Sequence, residues 1–560
     1  MNAITLAILG LGGMAIGFMF YARFIATKIF KLDDSRATPA HTMEDGVDYV
    51  PTNKWVLWGH HFTSVAGAAP IVGPAIAVIW GWLPAFLWVV FGTIFFAGIH
   101  DMGAIWASVR NKAKSIGALT EDVVSKRARA LFMIVIFLLL LMVNAVFGVV
   151  IATLLINTPS AVVPVWGAIV VALLIGQAIY RFKWSLPLVS LLGVITLYAL
   201  IYAGPSMPIA LPSTVFGLSD SAAWLIMLFA YAAVASLLPV WVLLQPRDYI
   251  NGLQLFVGLI LLYAAILISS PSIVAPAINT NLPPGTPSLI PLLFVTIACG
   301  AISGFHGLVS SGTTSKQLNK ESDMRLVGYF GAVGEGALAL ATIIAVSAGF
   351  ATLVEWEAIY SSFGQGGVAA FISGGATILN NGTGTGISIG VSTTMLTVMA
   401  ALFAGTTMDT GLRLQRYIFQ EWGQIYQISW LGRPTVATFL SVVSCLILAF
   451  GAGGASGSGG LVIWPLFGTT NQLLAGLTLL VIAVILMRQR TRIRYVVVPL
   501  CFLLTMTLAA LLLQLYTFYS SGAWFLLALD IVVLIAAIFV ALESISVLRH
   551  LNKTTTGPAP

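Results

Sequence analysis

"HFTSVAGAAPIVGPAIAVIWGW", residues 61–82, is long and apolar enough to cross a bilayer, yet it carries Gly67, Pro70, Gly73, Pro74 and Gly81. Glycine weakens a helix, and proline removes a backbone donor and clashes with the preceding turn. Hydrocarbon penalises the freed backbone groups more severely than water does. Glycine alone would fit close helix packing equally well. Two prolines in quick succession add nothing to packing. An interrupted helix is tolerated where its freed amides and carbonyls face protein or a water-filled cavity, and secondary transporters bind substrates and coupling ions at such places. The stretch therefore predicts a polar backbone site built from Ala66, Gly67, Ala68, Ala69, Pro70 and Gly73.

The rest of the chain supports a membrane setting. Of 560 residues, 59% are hydrophobic and 8% charged, with a mean hydropathy of +0.99. Soluble domains carry about 25% charged residues. The net charge of +7 is spread over short Lys/Arg clusters between apolar runs, with no broad basic face for nucleic acid. Cys299, Cys445 and Cys501 lie inside apolar segments without a CxxC pair and read as packing residues. No GxxxxGK[ST] or HExxH occurs, so neither an ATP-driven pump nor a zinc protease is expected, and no enzymatic role or cofactor is. "GTGTG" at 382–386 resembles a channel filter only weakly, and "GSGG" at 457–460 reads as an external turn.

Runs of about 20 apolar residues predict about fifteen crossings. They begin with Ala3–Phe24 and His60–Trp82, include Ala222–Leu244, Pro291–Thr313 and Ser388–Met408, and end with Trp524–Leu548. With the N-terminus outside, every basic cluster falls on the cytoplasmic side, and the loops 204–221, 271–290 and 349–366 contain no Lys or Arg. The C-terminus is then cytoplasmic. Residues 367–390 are left as a short outer helix or a re-entrant segment, because parity leaves no room for another full crossing.

Several intramembrane polar residues stand out. Pro239, with Ser236 upstream, lies deep in Ala222–Leu244. Alone it reads as a kink, but inverted repeats place two interrupted helices at corresponding positions. His306 shares a helix face with Ser310 and Ser311, and Ser311, Thr313 and Thr314 follow. Glu335 lies well inside its helix and is a candidate proton carrier. Asp101 follows His100, and Asp409 is expected to pair with Arg413 at i+4.

Five segments carry a resemblance: "HHFTSVAGAAPIVGPAIAVIWGWLPAFLW" (60–88), "GIHDMGAIWASVRNKAKSIG" (98–117), "LLPVWVLLQPRDYIN" (237–251), "ISGFHGLVSSGTTSKQL" (302–318) and "WPLFGTTNQLLAGL" (464–477). From Trp58 to beyond Ala475 the chain resembles the carbon starvation protein A family of inner-membrane transporters, linked to peptide uptake, with relatives that take up pyruvate. The resemblance implies an all-α, LeuT-like core with a five-plus-five inverted repeat. On that analogy His60–Trp82 is core helix one, Ala222–Leu244 core helix six and Pro291–Thr313 core helix eight. Hydroxyls of Ser310, Ser311, Thr313 and Thr314 would then face carbonyls of the first break, with sodium at Ala66, Ala69, Ser310 and Thr313. If the coupling ion is a proton, His306 or Glu335 would carry it.

The expected organisation is an extra helix (1–30), a cytoplasmic linker (31–57), the transport core (58–412), extra helices (413–550) and a disordered tail (551–560). The expected function is a secondary active transporter importing short peptides across the bacterial inner membrane, coupled to H+ or Na+. Its substrate would meet Ser236, Pro239 and His306 besides the first break. The alternatives are a proton-coupled carrier for pyruvate or another small carboxylate, and a membrane sensor or channel without coupled transport.

Overall fold

A computed structural model describes residues 2–46, 48–239, 242–382, 387–454 and 462–555. The features at 457–460, most of 382–386 and the last residues of the tail lie outside these; the final helix runs to Thr555, so residues 551–555 continue it. Among the described residues the chain is helical, apart from one small hairpin, Thr214–Val215 with Leu218–Ser219. Thirteen helices are long and apolar enough to span a membrane, and the pair Lys54–Ala66 and Ala69–Trp80, bent by 50°, makes a fourteenth candidate.

We name the elements in chain order: α1 (Ala3–Ile29), the bent pair α2 (Lys54–Ala66) and α3 (Ala69–Trp80), and α4 (Trp82–Val109). A short α5 (Ile116–Val123) leads to the long α6 (Lys126–Asn157). There follow α7 (Val162–Tyr180), α8 (Leu186–Ala203), α9 (Asp220–Leu237) and α10 (Leu244–Ser269). The next segment is interrupted, as α11 (Leu289–Thr296) and α12 (Gly304–Val309), the latter continued by a π-turn over Ser310–Thr314. Then come α13 (Phe330–Ala348), α14 (Gly367–Gly382) and the 37-residue α15 (Ile389–Ile425). The last are α16 (Pro434–Gly453), α17 (Trp464–Arg488), α18 (Arg494–Ser520) and α19 (Trp524–Thr555).

Two expectations change here. The crossing expected at Pro291–Thr313 is broken between Thr296 and Gly304, whereas the helix in Ala222–Leu244 runs unbroken only to Leu237. α9 ends at Leu237, Leu238 is extended, and Pro239 is exposed in the connection that follows. A residue preceding proline is pushed out of the helical region, which ends α9 there instead of kinking it. The second interrupted helix is thus α11–α12. Of the segment 367–390, residues 367–382 form the single helix α14, packed on α3, α10, α13 and α15, and Ile389 already begins α15.

The long helices α6 and α15 share the most extensive interface, and α9 and α16 lie against both of them and each other. The bent pair packs on α13 and α10, and the interrupted segment packs on α17. α7 and α8 form a side hairpin against α10 and α15. The basic ends converge on one face: Arg110 donates to Glu321 at 2.5 and 2.7 Å, Lys114 to Asp122 at 2.5 Å, and Arg129 reaches both Glu121 and Glu421.

Candidate functional site

The first break is narrow. α2 stops at Ala66 because Gly67 takes φ +44, a conformation that side-chain-bearing residues avoid. Pro70 restarts the chain within the first turn of α3, where a missing N–H costs nothing. Pro74 then removes the donor that would have satisfied the carbonyl of Pro70. The prolines flank the break, and glycine makes it. A Cβ on Gly67 would come within 2.8 Å of the Thr407 hydroxyl of α15, and that buried hydroxyl has no partner among the described residues. Ala66, Ala68 and Ala69 are buried beside it.

The second break lies against the first helix pair. Gly73 packs directly on the carbonyl of Thr296, and Gly300 faces Pro74, with its Cβ position 3.2 Å from the proline ring. A side chain at either glycine would separate the two segments. Polar side chains from neighbouring helices satisfy the backbone groups freed here. Trp88 Nε1 donates to the Ile297 carbonyl at 3.2 Å, Gln472 Nε2 to the Phe294 carbonyl at 2.5 Å, and Asn471 Oδ1 accepts from the Phe305 amide at 3.0 Å. Asn471 thus caps α12 from α17, and its amide group also donates to Ser303 at 3.1 Å.

One turn into α12, His306 sits between two carboxylates. Its Nδ1 is 2.8 Å from Asp101 Oδ2 on α4, and its Nε2 is 3.1 Å from Glu335 Oε2 on α13, off the line of a good hydrogen bond. Asp101 also bonds His100 Nδ1 at 2.8 Å. All four side chains are fully or almost fully buried. An imidazole has one donor and one acceptor when neutral and two donors when charged. If Nδ1 donates to Asp101, Nε2 either carries a proton toward ionised Glu335 or accepts one from protonated Glu335. The two titratable groups thus stand 3.1 Å apart, without a formed hydrogen bond between them. On α2, His61 Nδ1 bonds Thr314 at 2.8 Å, while its ring edge fills the space over Gly331.

The other expected residues disperse. Ser311 accepts from the Ile116 amide at 2.9 Å and donates to the Gly307 carbonyl at 2.7 Å. Ser310 is buried with an unpartnered hydroxyl. Thr313 is exposed and bonds its own helix at Val309, at 3.1 Å, unlike buried Ala66 and Ala69. Thr313 thus lies apart from buried Ala66 and Ala69, and the hydroxyl that meets Gly67 belongs to Thr407. No cluster of metal-ligating side chains occurs among the described residues.

Ser236 ends α9 in a second buried polar cluster. Arg416 donates to its carbonyl at 2.7 Å, and Arg413 donates to the Ala235 and Leu238 carbonyls, both at 2.8 Å. Asp409 therefore pairs with Arg247 of α10 and not with Arg413, which is occupied by the end of α9; Tyr231 joins the pair at 2.6 Å from Arg247 and 2.9 Å from Asp409. Asp101, His61, Asn471 and Thr407 complete the polar centre. Only the pairing of His100 with Asp101 in an apolar run hinted at any of them.

Two interrupted helices around a buried carboxylate–imidazole centre define a LeuT-like membrane transporter. Solved structures agree on the fold. A mutant of the Eremococcus coleocola manganese transporter superimposes with a TM-score of 0.52 at 11% identity, over 91% of this chain and 99% of that one. The same transporter in complex with an aromatic bis-isothiourea substituted compound gives 0.52 at 13% identity, over 91% and 99%. The chain belongs to the carbon starvation protein CstA family, which matches residues 2–361 and 349–510. Relatives include the peptide transporter CstA of Campylobacter jejuni, 34% identical over 90% of this chain and 79% of that protein. The Bacillus subtilis peptide transporter CstA is 32% identical over 90% and 89%, and the pyruvate/proton symporter BtsT of Escherichia coli is 30% identical over 92% and 82%.

Proposed function

We propose that the protein imports short peptides across the bacterial inner membrane by proton symport, with Asp101, His306 and Glu335 as the coupling centre. The observation that carries this reading is the placement of His306 between two buried carboxylates, one turn from the second break. Ionisable groups this deep in a membrane protein mark ion pathways, and imidazole is the side chain best suited to exchange a proton near neutral pH. The substrate lies between the two breaks, at Ala66–Pro70 and residues 297–303, where freed amides suit its carboxylate and freed carbonyls its ammonium group. The basic face is cytoplasmic and the N-terminus outside.

The packing also supports an inverted repeat. The first set is α2–α3, α4, α6, α9 and α10; the second is α11–α12, α13, α15, α16 and α17. The hairpin α7–α8 is inserted in the first. The set members contact one another in corresponding pairs: α6 with α15, α9 with α16, α10 with the first broken helix and α17 with the second. This makes α9 the fourth core helix and α11–α12 the sixth.

Uptake into proteoliposomes tests the proposal. Accumulation should follow an inward proton gradient and ignore a sodium gradient. His306→Gln and Glu335→Gln should abolish accumulation while leaving counterflow exchange, which needs binding and alternating access but no net proton movement. Wild-type accumulation in both variants would remove these residues from coupling. A second reading, a small-carboxylate substrate, has the BtsT relative in its favour; pyruvate and dipeptide competition in the same assay separates the two.

A further inference from the structure

A groove of about 580 Å³ opens on the outside of α1, lined by Met19, Phe20, Arg23, Phe24, Thr27, Lys28 and Arg325. Residues 19, 23 and 27 form one row along the helix and 20, 24 and 28 the next, as spacing by four dictates. The rows grade from apolar to cationic. Met19 and Phe20 are 51% and 69% exposed at the end toward the membrane interior. Arg23 and Lys28 are exposed toward the basic end, and Arg325 reaches in from the start of the α13 segment, its guanidinium 4.8 Å from the Phe18 ring.

The charge on these three residues is uncompensated. Arg110, Lys114, Arg129, Arg36 and Lys316 each have a carboxylate partner, while other basic residues such as Arg181, Lys183 and Arg490 have none among the described residues; what sets Arg23, Lys28 and Arg325 apart is that they line one groove together. Arg23, Lys28 and Arg325 form no ion pair among the described residues. Of the nearby acids, Glu321 holds Arg110, Asp34 accepts from the amide and hydroxyl of Ser322 at 2.8 and 2.7 Å, and Asp323 faces Lys54 and Lys320 without an ion pair to Arg325. Three unpaired cations at the foot of an exposed apolar strip match an amphiphile with an anionic head and a hydrocarbon tail.

We propose that this groove binds an anionic phospholipid, its phosphate held by Arg23, Lys28 and Arg325 and an acyl chain lying over Met19 and Phe20. Each Lys or Arg near an anionic headgroup contributes about fivefold in affinity, so removing three costs roughly a hundredfold. The full-length protein in detergent is titrated with phosphatidylglycerol, with phosphatidylcholine and with inorganic phosphate, and the bound species are read by native mass spectrometry. The wild type should retain phosphatidylglycerol in preference to phosphatidylcholine. The triple variant Arg23→Gln, Lys28→Gln, Arg325→Gln should lose that preference by roughly a hundredfold, while Arg23→Lys with Arg325→Lys keeps it. A control with the same charge loss elsewhere, Arg181→Gln, Lys183→Gln, Arg490→Gln, should also keep it. Unchanged retention in the first triple variant, or equal loss in the control, overturns the site. Binding of inorganic phosphate that displaces the lipid, with Phe20→Ser harmless, overturns the lipid assignment in favour of a free anion.

Discussion

The membrane core holds two buried ionic clusters that differ in the chemistry of their central group. In one, His306 bridges Asp101 and Glu335. In the other, Arg247 pairs with Asp409 and Tyr231, while Arg413 and Arg416 bind the last carbonyls of α9. Arginine does not release its proton, and its fixed fork of donors suits the end of a helix and a carboxylate together. Imidazole releases and regains a proton easily. On the proposed proton symport the first cluster would change charge during the cycle, whereas the guanidinium groups of the second clamp α9, α10 and α15 together in any protonation state.

The clamp gives the largest expected effect. Arg247 also lies 3.8 Å from buried Asp248, so Arg247→Leu leaves Asp409 and Asp248 buried without their cation, which should destabilise the protein by about 3–5 kcal/mol. The triple variant Arg247→Leu, Asp248→Asn, Asp409→Leu should recover much of that loss, because it leaves no carboxylate of the cluster without its cation. Thermal unfolding in detergent reads both. If Arg247→Leu melts like the wild type, the cluster is not a clamp and the contrast with His306 fails.

A smaller loss is expected from Gly331→Ala. The new Cβ would sit 2.8 Å from His61 Cδ2, so the ring must move and its bond to Thr314 weakens. Overpacking of this kind costs about 1–3 kcal/mol. Transport by Gly331→Ala should fall together with its stability, whereas His306→Gln should lose accumulation out of proportion to any melting shift. Equal proportions in the two variants would mean that His306 serves only packing.

The fold was largely legible because bilayer-length apolar runs and Lys/Arg placement leave few alternatives, and the density of breakers around Gly67 pointed to the first break. The second break was hidden for a physical reason. Proline is the expected signal, but Pro239 only ends α9; the interruption rests on Gly300 and Gly304, which press against Pro74 and the backbone of Asn471. It is held open by contacts from distant sequence: Pro74, Asn471 and Gln472. For the same reason His306 and Glu335 were legible as isolated ionisable residues, but Asp101 as their third member was not. No spacing within the chain relates position 101 to position 306.

The smallest expected effect concerns how α12, the helix that carries His306, is held. The start of α12 is pinned by a neutral cap, Asn471 Oδ1 accepting from the Phe305 amide, where the end of α9 is pinned by guanidinium groups. Loss of a neutral cap costs about 1 kcal/mol, well below the loss expected from unpairing Arg247. Asn471→Ala should therefore lower stability by about 1 kcal/mol, and Asn471→Asp, which keeps an acceptor for Phe305 but buries a carboxylate without a cation, should lower it further. Both variants should still couple uptake to a proton gradient, since neither removes a member of the Asp101–His306–Glu335 centre. Chemical denaturation in mixed micelles compares the stabilities, and gradient-driven uptake compares the coupling. A loss for Asn471→Ala as large as that for Arg247→Leu would show that the two anchors are equivalent. It would leave the titratable imidazole as the only difference between the clusters.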